Sequence, residues 1–173
     1  MIQELASKTF QLHNVGIVLL SPFLPRLFSM FKLVENGQFI DDNAQIKAIH
    51  LMLYSTHGAI NVPDNELKLL KVLVGLDLNA LLSLVAEITD NEKETVTIML
   101  NSVIQHWSKI GNTSVEGLRE SFLKREGKLE EKEDCYMLDV YSKSYDMLLD
   151  SIPWSFGIIR FPWMAKTMKV NWR

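Results

Sequence analysis

Apolar positions along this chain change their spacing from segment to segment. From Val15 to Val34 they run almost unbroken, punctuated by "SPFLP". Ser21 before Pro22 has the form of an N-cap followed by proline at the first helical position. A short turn or strand is therefore expected to lead into a helix through "PFLPRLFSMFKL", which Gly37 ends. "DDNAQIKAIHLMLYSTHG" predicts the next helix, capped by Asp41 or Asp42 and stopped by Gly58, with Ile46, Ala48, Ile49, Met52 and Leu53 as its buried stripe. "VPDNELKLLKVLVG" repeats that grammar: Asp64 caps, Leu67, Leu70 and Val74 share a face, and Gly75 stops it. The clearest element is "TDNEKETVTIMLNSVIQHWSKIG", where Val96, Met99, Leu100, Val103 and Trp107 fall at helical spacing. Thr89 with Glu92 three residues later makes a capping box there. "NTSVEGLRESFLKREG" predicts one more short helix, with Val115, Leu118 and Phe122 on one side.

After Gly127 the period shortens. Tyr136, Leu138 and Val140 alternate as a strand does, the charged "EEKED" before them reads as a solvated hairpin turn, and "KSYDMLLDSIP" reads as a short helix ending at Pro153. "FGIIRF" and "MKVNW" are strand candidates, rich in β-branched and aromatic residues. The expected fold class is α+β, mainly helical: a helical N-terminal two-thirds with a small antiparallel β element near the C-terminus. The length of 173 residues predicts a single domain over 1–173, with 14–126 mostly helical and 127–173 holding short strands plus one short helix.

Composition changes this picture little, but charge distribution does. Hydrophobic residues at 47% suffice for a real core, and a net charge of −3 gives no general pull toward nucleic acid or anionic membranes. Four of the 18 Lys and Arg but none of the 21 Asp and Glu lie in residues 151–173, so that tail carries +4 on a body of −7. Trp154, Trp163 and Trp172 recur there at intervals of nine. The start "MIQELASKTFQLHN" contains Glu4 and lacks the apolar run of a secretory leader. "VGIVLLSPFLPRLFSMF" is broken by Pro22, Pro25 and Arg26, which argues against a membrane span. The single cysteine, Cys135, fits a reducing compartment. A cytoplasmic protein is expected.

Enzyme chemistry finds no foothold. His50 and His57 lie seven apart, but no HExxH or cysteine pair completes a zinc set, so neither metal nor cofactor is expected. Cys135 sits between Asp134 and Tyr136, and an acidic neighbour raises a thiol pKa rather than activating it. Phosphate-binding loops and a GxSxG elbow are absent. The tail is the remaining candidate. Basic residues interleaved with aromatic ones match a single-stranded nucleic-acid surface, protein–protein hot spots, or strands packing their aromatic side on helices. Core or interface packing is favoured over base stacking, because four positive charges make a short phosphate track.

Four blocks, "VGIVLLSPFLPRLF", "AIHLMLYSTHG", "NTSVEGLRESFLKREGKL" and "YDMLLDSIPWSFGIIRFPWM…VNW", appear in order from about Asn14 to Trp172. They resemble the tape measure proteins of contractile injection systems, the phage-tail-like antifeeding prophages and virulence cassettes. Members of that family are usually much longer, with this region at their C-terminal end. The resemblance therefore implies either an excised C-terminal domain or a short stand-alone relative. It also implies a structural role: helping to set tube length, residing in the particle, and being held at the hub or baseplate. Partners would be other injection-system subunits (hub, baseplate or tube), with a homo-oligomer as a further option, no membrane, and nucleic acid as the lesser alternative. Trp154, Arg160, Trp163, Lys166, Lys169 and Trp172 are the candidate partner-binding residues, with rings packed on the helices and the basic side outward.

Overall fold

Some helix ends fold where the sequence signals them, and others do not. The computed structural model of the chain describes residues 8–82 and 87–173. Residues 1–7, part of the stretch read for a leader, lie outside the described residues. Strands are β1 (Lys8–Leu12), β2 (Val34–Glu35), β3 (Gln38–Phe39), β4 (Gly127–Glu131), β5 (Cys135–Val140), β6 (Ile158–Ile159) and β7 (Thr167–Asn171). Helices are α1 (Leu24–Met30), α2 (Asp42–His57), α3 (Lys68–Leu73), α4 (Asp90–His106) and α5 (Val115–Leu118). Short 3₁₀ segments cover Val15–Leu20, Asp64–Leu67, Ser108–Ile110 and Asp146–Ser151, and a π-turn covers Arg119–Leu123.

In α2 the Asp41 carboxylate accepts the Ala44 amide at 2.7 Å, and Gly58 closes the helix at φ +69. In α4 the Thr89 hydroxyl and the Glu92 carboxylate cap each other's amides reciprocally. Glu92 also meets Lys47 Nζ at 3.0 Å, which ties the start of α4 to α2. Behind the caps, Val96, Leu100, Val103 and Trp107 are all but inaccessible to solvent, as their spacing predicts.

The fold class differs from the mainly helical expectation. Helical elements hold 46% and strands 17% of the described residues. The principal sheet has five strands in the order β1-β4-β5-β7-β6, and it is mixed: β5 and β7 run parallel while the other neighbours run antiparallel. A small antiparallel element near the C-terminus is thus not what forms. The extra strand comes from the other end of the chain, Lys8–Leu12, where Phe10 and Leu12 alone carry the alternation. The parallel pairing exists because residues 141–166 cross over before β7 returns beside β5.

Local corrections have similar causes. Ser21 caps no helix but ends the 3₁₀ segment Val15–Leu20, all six residues of which are buried in the middle of the core. The helix starts later, at Leu24, with proline in its first turn. Gly37 ends no helix; it forms with Asn36 a left-handed pair, φ +75 and +52, the type I′ geometry that joins β2 to β3. Asp64 makes no side-chain cap, and a 3₁₀ turn leads into α3 instead. Gly16 shows how tightly the central segment is held: a Cβ there would lie 1.7 Å from the Phe122 carbonyl oxygen of the π-turn.

The inner face of the five-stranded sheet, with Leu12, Leu129, Tyr136, Leu138, Met168 and Ile159, packs onto this core. On the opposite face Thr9, Gln11, Lys128, Glu130, Met137, Asp139, Lys169 and Asn171 are exposed or half-buried. Among the described residues no helix is long and apolar enough to cross a membrane.

Candidate interaction surface

Residues 151–173 alternate between exposed and buried positions along the core, and their tryptophans are seated at three separate places. The Trp154 indole donates to the Leu19 carbonyl at 2.9 Å and stacks edge-on against Phe23 at 5.1 Å. Trp163 donates to the Leu73 carbonyl at 2.8 Å and meets Phe39, Phe161 and Phe28 at 4.9, 5.2 and 6.0 Å. Trp172 is 4% exposed and donates to Asp146 Oδ2 at 3.1 Å. All three indole N–H groups are therefore consumed inside the protein, as a buried donor requires. The fourth, Trp107, donates to Leu148 O and Ser151 Oγ at 3.1 and 3.0 Å.

Asp146 is the hub of a buried charge network that the sequence reading missed. Arg125 and Asp146, 0% and 2% exposed at their side chains, form a two-pronged pair with both contacts at 2.7 Å. The Lys143 amide donates to Asp146 Oδ2 at 2.9 Å, and Arg125 donates to the Tyr141 carbonyl at 2.7 Å. The guanidinium also lies 5.1 Å from the Trp172 ring and 5.6 Å from that of Tyr145. Burial pushes the Asp146 carboxyl up, but Arg125, the Lys143 amide and the Trp172 indole outweigh it and hold the group below its ordinary value. Nothing in "KREG" or "SYDM" separates these two charges from surface ones. The one available signal is the excess of tryptophans nearby, whose donors need buried acceptors.

A second arginine performs a different task. Arg119, 6% exposed, donates to the carbonyls of Ser55 and Tyr54 at 3.1 and 2.9 Å and so caps the C-terminal end of α2. The histidines weighed for metal chemistry are both structural in setting. His50 is 2% exposed with Nε2 unpartnered among the described residues, and burial lowers its pKa. His57 Nε2 lies 3.4 Å from Asn14 Nδ2, and burial lowers its pKa too. Among the described residues no three His, Cys, Asp or Glu side chains gather as a metal would require. Cys135 is buried, and His106 stays exposed, its Nδ1 bonded to the Ser102 carbonyl at 2.7 Å.

With the rings turned inward, the basic residues divide. Lys166 reaches Glu131 Oε1 at 3.3 Å, the Lys132 carbonyl at 2.8 Å and the Tyr136 ring at 5.4 Å, so it braces the β4–β5 turn. Arg160 is exposed and donates to Thr167 Oγ1 at 3.3 Å. Lys169 stands exposed on β7, opposite Ile158 on one side and Met137 on the other. Ile158 itself is 72% exposed. Among the exposed positions of the tail, Ile158, Arg160 and Lys169 group around the β6–β7 pair, while Trp154, Trp163 and Trp172 tie the tail to the core.

Comparison with family models matches residues 3–172, almost the entire chain, to the contractile injection system tape measure protein family. No curated protein and no solved structure matches the chain.

Proposed function

Because the chain belongs to the contractile injection system tape measure protein family, we propose that it is a non-enzymatic assembly module whose tail patch holds it to another subunit. Membership makes the chain a structural component of the injection particle. In this reading the module supplies the anchored end of the tape measure, at the hub, baseplate or tube, and the anchoring contributes to tube-length control.

The observation that carries the reading is the division of labour in residues 151–173. Their aromatic side chains are spent on rigid internal contacts, while Ile158, Arg160 and Lys169 face outward on the fixed sheet. A docking surface gains from such preorganisation, because little side-chain or backbone freedom remains to be lost on binding. The single-stranded nucleic-acid reading draws less support, since all three tail indoles are bonded inside the protein and Trp172 is 4% exposed.

The test is a pull-down of the tube, hub and baseplate proteins of the same particle with the full chain as bait. The wild-type chain is expected to retain one of them. Arg160→Glu combined with Lys169→Glu is expected to lose it while keeping the circular dichroism spectrum and thermal midpoint. Retention of the partner by that folded double variant, or capture of none by wild type, would sink the assignment of this patch.

A further inference from the structure

The five-stranded sheet has two edges, β6 and β1. Edge strands expose unpaired amides and carbonyls, and proteins normally blunt them by shortness, proline or a bulge. β6 is blunted: it is two residues long and the chain turns away at Pro162. β1 carries one further such device, a charge, in Lys8 at its start. Beyond Lys8 it runs in unbroken register with β4 and contains neither proline nor glycine.

The hydrogen-bond alternation tells which of its backbone groups are free. Lys132 N donates to Cys135 O at 2.9 Å and Tyr141 N to Glu126 O at 3.0 Å, so the even-numbered residues of β4 bond to β5. The odd ones then face β1, pairing with Lys8, Phe10 and Leu12. Thr9, Gln11 and His13 must turn their amides to the open edge. His13 is already served, because its amide donates to Glu66 Oε2 at 3.0 Å and its Nδ1 lies 2.7 Å from Glu66 Oε1. The edge thus ends on a carboxylate, and among the described residues nothing meets the outward amides of Thr9 and Gln11.

Charge selects the occupant. Lys68 Nζ stands 4.3 Å over the Phe10 ring, and neither it nor Lys8 has a carboxylate within ion-pair distance among the described residues. Glu131, opposite Lys8 in register, is taken by Lys166. A second copy of β1 paired antiparallel about Phe10 would set each Lys8 toward the Glu66 end of the other copy but crowd both Lys68 ammonium groups at the centre of the seam, a repulsive arrangement. We infer that the β1 edge takes up an extended segment of a different chain by strand addition, an apolar residue lying beside Phe10 and carboxylates meeting Lys8 and Lys68. Main-chain bonds to Thr9 and Gln11 supply affinity, and the two lysines supply selectivity. This edge is on the far side of the sheet from Ile158 and does not depend on the tail patch.

The probe is a short labelled peptide with two glutamates flanking a valine at alternate positions, and a twin with lysines in place of the glutamates, titrated onto the full chain by fluorescence anisotropy. The acidic peptide is expected to bind, more weakly as salt rises, with the lysine twin at least about tenfold weaker. Lys68→Glu is expected to reverse that preference. Thr9→Pro removes one outward donor without touching the ladder to β4, a position where proline is tolerated, and is expected to cost about tenfold in affinity. Hydrogen exchange on the wild-type complex is expected to slow at Thr9 and Gln11. Absence of binding, equal binding of the twin, or acidic-peptide binding that leaves Thr9→Pro and the exchange of both amides unaffected would each overturn strand addition at this edge.

Discussion

At the scale of single residues, the decisive partners are far apart in sequence. Trp154, Trp163 and Trp172 are conspicuous in the chain, and their regular spacing invites a common surface. Their indole acceptors lie 135, 90 and 26 residues away, so no local pattern could have announced that each ring is inserted separately. The basic residues were equally visible, yet only the fold separates Lys166, which braces a turn, from Arg160 and Lys169, which face outward. Arg125 and Asp146 were illegible altogether, since a buried ion pair is spelled with the same letters as a solvated one. Its energetics give a sharp prediction. Asp146→Ala leaves a fully buried guanidinium without its counter-charge and is expected to cost about 3–5 kcal/mol, most of it desolvation no longer offset. Trp172→Phe keeps an aromatic ring but loses the pyrrole half with its donor to a charged acceptor, and the lost hydrogen bond alone is expected to cost about 1.5–3 kcal/mol. Urea unfolding of both variants measures this, and an Asp146→Ala protein as stable as its parent would show the pair to be incidental.

At the scale of elements, what could be read was whatever is encoded within one turn of chain. The caps of α2 and α4, the stop at Gly58 and the amphipathic stripe of α4 all depend on residues three to seven apart, and all form as spelled. The sheet depends on pairings such as Leu12 with Gly127, and there the reading missed a strand and the parallel register. Ser21 and Pro22 mimic a helix start, but the segment before them is wholly buried and tightens into a 3₁₀ turn, leaving the serine outside any cap. The two signals therefore carry different weights. Thr89→Ala is expected to lower stability by about 1 kcal/mol through loss of the cap, whereas Ser21→Ala removes a hydroxyl that caps no helix and is expected to cost less. Thermal melts of the two variants decide it; equal losses would mean that Ser21 serves the fold in some way its geometry does not display.

At the scale of the whole molecule, three histidines set opposing responses to pH. His50 and His57 are pushed below the ordinary value of 6.5, chiefly by burial and secondarily by Lys47 and Lys124, with Glu92 and Glu66 opposing. Their neutral forms favour the folded state, so their contribution is complete above 6.5 and is lost as pH falls through the depressed folded values. His13 is raised, chiefly by its bond to Glu66, so its contribution is complete below 6.5 and fades as pH climbs through its folded value. Stability is therefore expected to fall on both sides of near-neutral pH. Urea midpoints across roughly pH 5 to 8 test this: His13→Gln should flatten the alkaline limb alone, and a parent profile without an acid limb would contradict the assignment of His50 and His57. The five-stranded sheet draws its strands from residues 8–12 and 127–171, so it closes over a long loop. Its edge strand also has a direction of strength. Tension applied at Lys8 along the strand axis must slide five residue pairs past β4 together, whereas a pull across the sheet opens them one by one. The same short ladder is thereby strong when loaded along the strand and weak when loaded across it.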